Sequence, residues 1–137
     1  MKKFFVIIAS MFAMASVAHA DVYIEVDKSE QVMYVDSPVG SFAWDVSTAR
    51  DGYHTPEGKY KPTLMKKMHY SRKYDNSPMP YSIFFYGGYA IHGTSHVNDL
   101  GHVASHGCVR LSPQNARWLY RIVNEEGMKN THIKIVP

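Results

Sequence analysis

Asp21-Val22-Tyr23-Ile24-Glu25-Val26-Asp27, continued by Gln31 to Val35 and by Phe42-Ala43-Trp44-Asp45-Val46, is the stretch on which the fold turns. Val22, Ile24 and Val26 alternate with Tyr23, Glu25 and Asp27, and Phe42, Trp44 and Val46 alternate with small or polar neighbours. Successive side chains of an extended chain point to opposite sides, so this pattern predicts strands with one buried face. The breaks fall where turns are needed, at the polar Lys28 to Glu30 and at Pro38-Val39-Gly40. Three consecutive strands with short connections imply an antiparallel meander, half-buried on one face.

Downstream the signal weakens. Asp51-Gly52 and Thr55-Pro56-Glu57-Gly58 carry turn chemistry, and Leu64 to Pro80 mixes Met65, Met68 and Met79 with Lys66, Lys67, Arg72 and Lys73. This reads as a long irregular excursion, with the composition of a lid as much as of a solvated loop. Tyr81 to Tyr86, Gly87-Gly88 and Tyr89 to His92 predict a hairpin, whose aromatics are assigned to cross-strand packing. A polar loop from Gly93 to Gly107 then delivers Cys108 and a short apolar Val109-Arg110-Leu111. A helix opens at Ser112, a favoured N-cap, with Pro113 at its first position. Ala116, Leu119, Tyr120 and Val123 form its apolar stripe and Gly127 its stop. Thr131 to Val136 alternates again as a last strand, giving a mainly β domain with one substantial helix.

The chain has 137 residues, 45% hydrophobic and 20% charged, which suits one globular domain. Lys2 and Lys3 precede an uncharged run of about 14 residues, Phe4 to Val17, and then Ala18-His19-Ala20. Residues 1–20 are therefore expected to be a cleavable secretory signal peptide, whose apolar run is too short to span a bilayer, and residues 21–137 the domain. Position 21 is Asp, so no lipid-bearing cysteine stands at that junction, and no membrane anchor is expected. Removing Lys2 and Lys3 leaves thirteen basic against twelve acidic residues, a net charge of +1. That balance gives no support to a nucleic-acid partner, which needs a concentrated basic face.

Cys108 is the only cysteine in a chain expected in an oxidising compartment, so no internal disulfide is open to it. A free cysteine is often a small buried hydrophobe. Against that stands its setting: Ser105-His106-Gly107 precede it, and a flanking glycine lets main-chain N–H groups turn toward one point, as oxyanion stabilisation requires. A thiol near neutral pH also needs a base, and His92 and His106 are the candidates. Four histidines between His92 and Cys108 raise a zinc site as a rival, through His92-x3-His96 and His102-x3-His106 with Cys108. These pairs sit in a glycine-bearing loop with no neighbouring Glu, unlike helical zinc-hydrolase motifs.

His92-Gly93-Thr94 followed by Ser105-His106-Gly107-Cys108-Val109-Arg110-Leu111 closely resembles the signature of the L,D-transpeptidase catalytic domain, also called the YkuD or ErfK/YbiS/YcfS/YnhG domain. Thr55-Pro56-Glu57-Gly58-Lys59-Tyr60 and Val46-Ser47-Thr48 are similar to its upstream segments, so the resemblance covers nearly all of residues 21–137. It implies a β-sandwich-like fold with Cys108 as nucleophile and His92 as its base. The Gly93 carbonyl would orient the His92 ring, and N–H groups around His106, Gly107 and Cys108 would form the oxyanion hole. Arg110 and Ser105 would lie near substrate. Independently of the resemblance, the excursion read as a lid would offer its cations to substrate carboxylates and Tyr70 and Tyr74 to sugar or peptide packing. The implied reaction is periplasmic acyl transfer between peptidoglycan stem peptides through a thioester, with loss of a terminal D-residue and without metal or cofactor. The motif leaves the acceptor open among a stem-peptide amine, a lipoprotein lysine, a D-amino acid and water. A Cys/His hydrolase acting on the same stems and a non-catalytic wall-binding module are the alternatives.

Overall fold

The computed structural model describes residues 20–137, so the expected leader lies, but for Ala20, outside the described residues. Nine strands and one helix follow in the order β1 (Val22–Asp27), β2 (Val32–Ser37), β3 (Gly40–Asp45), β4 (Gly58–Tyr60), β5 (Leu64–Ser71), β6 (Ser77–Tyr86), β7 (Tyr89–Gly93), β8 (Val109–Leu111), α1 (Pro113–Glu126) and β9 (Thr131–Val136). They build two sheets, one ordered β3-β2-β1-β9-β4 and the other β5-β6-β7-β8. The antiparallel meander read from the sequence is β1 to β3, and β9 joins it parallel to β1 with Ile133 opposite Ile24 and Ile135 opposite Val26.

The alternation does what it predicts. Val22, Ile24, Val26, Met33 and Val35 turn inward to meet Ile83, Phe85, Ile91, Val109 and Leu111 of the second sheet and Leu119, Ile122 and Val123 of α1. Each such side chain, removed from water, stabilises the fold by about 1.5–3 kcal/mol. The helix begins as expected, with Ser112 Oγ accepting the Asn115 N–H at 3.2 Å, and it ends at Gly127 (φ +96°). Tyr120 of the predicted stripe is only half-buried and packs edge-on against Tyr81, while Ile122 takes the buried place beside Val123.

One expectation is overturned. Residues 64–80 are not an irregular excursion but β5 and the first half of β6, paired antiparallel from Leu64–Phe84 to Ser71–Ser77. The reversal at their tip is a 3-10 turn, Arg72–Tyr74, followed by Asp75 and Asn76 at φ +54° and +52°. Two features hide this hairpin from a sequence reading. None of the side chains of β5 is buried, so the apolar alternation that marks a strand is absent. Pro78 and Pro80 also argue against a strand, yet β7 pairs with β6 only from Ile83 onward, leaving an edge where missing N–H groups are tolerated.

Candidate active site

The segment after β3 runs along the free edge of β8 and pins the turn that carries the thiol. Ser47 and Arg110 exchange main-chain hydrogen bonds of 3.1 and 2.9 Å, Ser105 N–H donates to Thr48 O, and Arg50 N–H donates to Ser105 O. Thr55, from the Thr-Pro segment, closes the arrangement: its hydroxyl donates to Gly107 O at 2.8 Å and accepts the Ala49 N–H at 3.0 Å. Gly107 sits at φ +141°, and a Cβ there would lie 2.5 Å from a Tyr89 ring carbon and 2.9 Å from His54 O. Only glycine satisfies both the backbone conformation and the space. Ser105, fully buried, works inside this turn, donating to Cys108 O at 2.6 Å and accepting the Gly107 N–H at 3.0 Å. An oxyanion site must therefore draw on main-chain N–H groups other than that of Gly107, and the Ser105 hydroxyl proton is committed to the turn rather than to a substrate.

Parallel pairing of β7 and β8 sets Ile91 against Val109 and His92 against Arg110. Counting back by two, Cys108 shares a sheet face with His92 and Arg110. At about 3.3 Å per residue along a strand and about 4.8 Å between strands, the Cα atoms of Cys108 and His92 are roughly 8 Å apart, within mutual reach of their side chains. All three line a cleft of about 510 Å³. A larger hollow, about 830 Å³, lies among Tyr23, Tyr34, Lys59 and His132, but it contains no thiol. The presence of the thiol makes the smaller cleft the candidate site.

His92 is buried, and its Nδ1 lies 2.7 Å from Gly93 O. A carbonyl can only accept, so Nδ1 carries the hydrogen and Nε2 is the basic nitrogen. Loss of solvation lowers the His92 pKa to about 4, against the opposing Gly93 hydrogen bond and with smaller contributions from Arg110 and His69. Gly93 itself is closely packed, and a Cβ on it would meet Pro80, Pro113 and Ala116 at 3.2–3.3 Å where β7 ends against the start of α1. Burial raises the Cys108 pKa, opposed by the Ala90 N–H and by Arg110. The resting pair is thus a neutral thiol and a neutral imidazole.

His106 is built differently. Its Nε2 is 2.9 Å from the Arg50 guanidinium, which can only donate, so that nitrogen is occupied as an acceptor. Its ring stacks on Tyr74 at 4.0 Å and leans on Tyr53 at 4.7 Å. Desolvation lowers its pKa, with Arg50, Arg110 and Lys73 acting in the same direction. Tyr74 therefore reaches the cleft from the hairpin tip, whereas Tyr70 does not line it and is 54% exposed. The sequence reading missed His69 and Met79 among the lining residues, weighed His96 only as a zinc ligand, and gave Phe84 and Tyr89 only a packing role, whereas the excursion's cations Arg72 and Lys73, offered there for substrate carboxylates, do line the cleft. Strand periodicity was the available signal, since His69 and Ser71 flank Tyr70 on β5 and must face the other way. Among the described residues no three His, Cys, Asp or Glu side chains converge as a metal-binding set, so His96, His102 and Cys108 form no zinc cage there.

The family model described as the L,D-transpeptidase catalytic domain matches residues 21–135. No curated protein sequence matches the chain significantly. Among solved structures, an L,D-transpeptidase from Mycobacterium smegmatis is similar at TM-score 0.75 and 21% identity, over 86% of this chain and 59% of that one. One from Stackebrandtia nassauensis gives 0.74 and 25%, over 94% and 62%. L,D-transpeptidase 3 from Mycobacterium tuberculosis, in complex with a faropenem-derived adduct, gives 0.72 and 19%, over 85% and 60%. The chain thus spans about 60% of the length of these solved neighbours. With the family model covering nearly all of the two-sheet domain and its cysteine-bearing turn, the chain belongs to the L,D-transpeptidase catalytic domain family.

Proposed function

We propose that the protein is a cysteine-dependent peptidoglycan L,D-transpeptidase. The observation that carries this reading is that Cys108 and a buried His92, whose Nδ1 lies 2.7 Å from Gly93 O, line one cleft. As Cys108 Sγ attacks the stem-peptide carbonyl carbon, its proton passes to His92 Nε2 and a tetrahedral oxyanion forms. Collapse breaks the C–N bond, and His92 returns the proton to the departing amine of the terminal D-residue, leaving a thioester on Cys108. An acceptor amine then attacks, gives its proton to His92, and expels the sulfur as a thiol once that proton is passed back. Because both partners rest neutral, proton transfer accompanies attack rather than preceding it.

Incubating the protein with purified tetrapeptide muropeptides and reading products by mass tests this. Cross-linked dimers lacking one terminal residue are expected, and none with Cys108→Ala. Loss of the terminal residue alone would make water the acceptor and the enzyme a carboxypeptidase. A β-lactam of the penem or carbapenem class should add once, at Cys108, since its strained carbonyl presents the same electrophile. We place the enzyme in the periplasm, delivered by cleavage after Ala20, and N-terminal sequencing of exported protein should begin at Asp21. Among the described residues no helix is long and apolar enough to cross a membrane.

A further inference from the structure

The cleft carries an uncompensated positive charge. Arg72, Lys73 and Arg110 line it, and no Asp or Glu does. Arg72 and Lys73 are exposed at the hairpin tip, where water and salt screen them. Arg110 is half-buried on the cleft floor, and its guanidinium makes no ion pair or hydrogen bond within the described residues. The nearest acid acting on it is Asp99, which is exposed and beyond ion-pairing distance. The five donors of Arg110, with no partner among the described residues and none of them buried, are open to an anion that enters the cleft. Its backbone is fixed on both edges of β8, by β7 on one side and by the Ser47 bridge on the other, so the side chain projects from a rigid base.

Its position says which anion fits. Arg110 lies two residues beyond Cys108, which immediately precedes β8, and an extended chain puts them about 7 Å apart at the backbone on one face. A substrate carbonyl placed on Sγ therefore has, within reach of the guanidinium, a group roughly one residue beyond the scissile bond. The geometry points to Arg110 as the specificity-determining residue that binds the free α-carboxylate of the departing terminal residue, restricting the enzyme to bonds one residue from a chain end. This rests on the transpeptidase reading for the substrate, although the anion subsite beside the thiol is a property of the cleft itself. Guanidinium and carboxylate meet as a forked pair, which a lysine reproduces only in part.

Cys108, the sole cysteine, reports on the subsite directly. The test compares the rates at which iodoacetate and its neutral analogue iodoacetamide alkylate the folded protein, with the same ratio for the urea-unfolded chain as reference. The folded protein should favour iodoacetate by roughly 10- to 100-fold over that reference, the range expected of a charge-assisted hydrogen-bonded pair. Arg110→Gln should return the ratio to the unfolded value, Arg110→Lys should keep part of the preference, and Arg72→Gln with Lys73→Gln should change it less than Arg110→Gln does. Thermal melts confirm that each variant folds. If Arg110→Gln slows both reagents equally, the guanidinium serves only the thiolate and the proposal fails. If Arg72 and Lys73 carry the preference, it fails as well. A tetrapeptide donor whose terminal carboxylate is amidated should lose turnover by a similar factor, and only in enzyme with Arg110 intact. Alkylation preference without turnover of any stem peptide would overturn the transpeptidase reading and leave the subsite standing. Turnover that ignores amidation, with no alkylation preference, would do the reverse.

Discussion

The side chains buried in the five-stranded sheet are apolar except for Thr131: Val22, Ile24, Val26, Met33, Val35, Ile133 and Ile135. In the four-stranded sheet and its adjoining turn, Ile83, Ile91, Val109 and Leu111 share that burial with Ser82, His92, Thr94 and Ser105. Every one of those polar groups is placed by a hydrogen bond or by the tight packing around Gly93 and Gly107, and among the described residues no buried side-chain polar atom lacks a partner. The first sheet is held by volume and the second by geometry. Substitutions should sort accordingly, with stability read mainly from one and chemistry from the other.

The sharpest division is expected at His92. General-base assistance contributes about 10² to 10⁴ in rate, so His92→Ala should reduce turnover and Cys108 alkylation by that order. His106→Ala should leave the alkylation rate much closer to wild type, because Arg50 already occupies its Nε2. Alkylation rate against pH for both variants checks this. A larger loss in His106→Ala would exchange the two roles. In the other sheet, Ile24→Ala should cost about 2–5 kcal/mol in a urea melt, the usual result of emptying a packed site. Activity per folded molecule should not change, and a drop in kcat there would break the division between the sheets.

The same division explains what a reader of the sequence could see. The meander, the capped helix and the last strand announce themselves by burying apolar residues at a fixed period, the hairpin by its Gly87-Gly88 turn between two runs of strand formers, and all are present. The thiol turn was legible too, since Ser105-His106-Gly107-Cys108 is a compact local pattern. What escaped was the part of the cleft made by β5. That strand holds its place through main-chain pairing with β6 and carries Lys66, Lys67 and Met68 outward, so nothing in its composition marks a pleat. Without a visible pleat, Tyr70 and Tyr74 read alike from the sequence, and nothing there singles out His69. The internal use of Ser105 was equally hidden, because a serine hydroxyl bridging Cys108 O and Gly107 N–H has no signature beyond proximity.

Acid should bear on the second sheet more than on the first. His92 has a pKa of about 4 in the fold against about 6.5 in an unfolded chain, so between those values the unfolded state binds the extra proton. The stability this confers is complete above pH 6.5, falls as pH drops toward 4, and is lost below it. The shift corresponds to about 3 kcal/mol. His106 shifts the same way, but it is more exposed and contributes less. Urea melts from pH 7.5 to 4 should show the decline, and His92→Gln should remove most of it. An unchanged slope in that variant would place the titrating group elsewhere.

The smallest effect falls within the hairpin itself, where two tyrosines four residues apart have opposite surroundings. Tyr70 is 54% exposed and outside the cleft, so Tyr70→Ala should alter stability by no more than about 0.5 kcal/mol and leave KM unchanged. Tyr74 stacks on His106 at 4.0 Å with an interplanar angle of 21° and has Lys73 Nζ 5.4 Å from its ring centroid. Such a ring pair is worth about 0.5–1.5 kcal/mol, a weight that acts on how firmly the hairpin tip rests against the thiol turn. Tyr74→Ala should therefore raise KM by roughly 2- to 10-fold with little change in kcat. It should also speed protease cleavage near Asp75 and Asn76, where the backbone turns through positive φ. Tyr74→Phe keeps the stacked ring and should restore both readouts. If Tyr70→Ala matched Tyr74→Ala in KM, the hairpin would be acting as a uniform flap and the distinction between its two faces would fail.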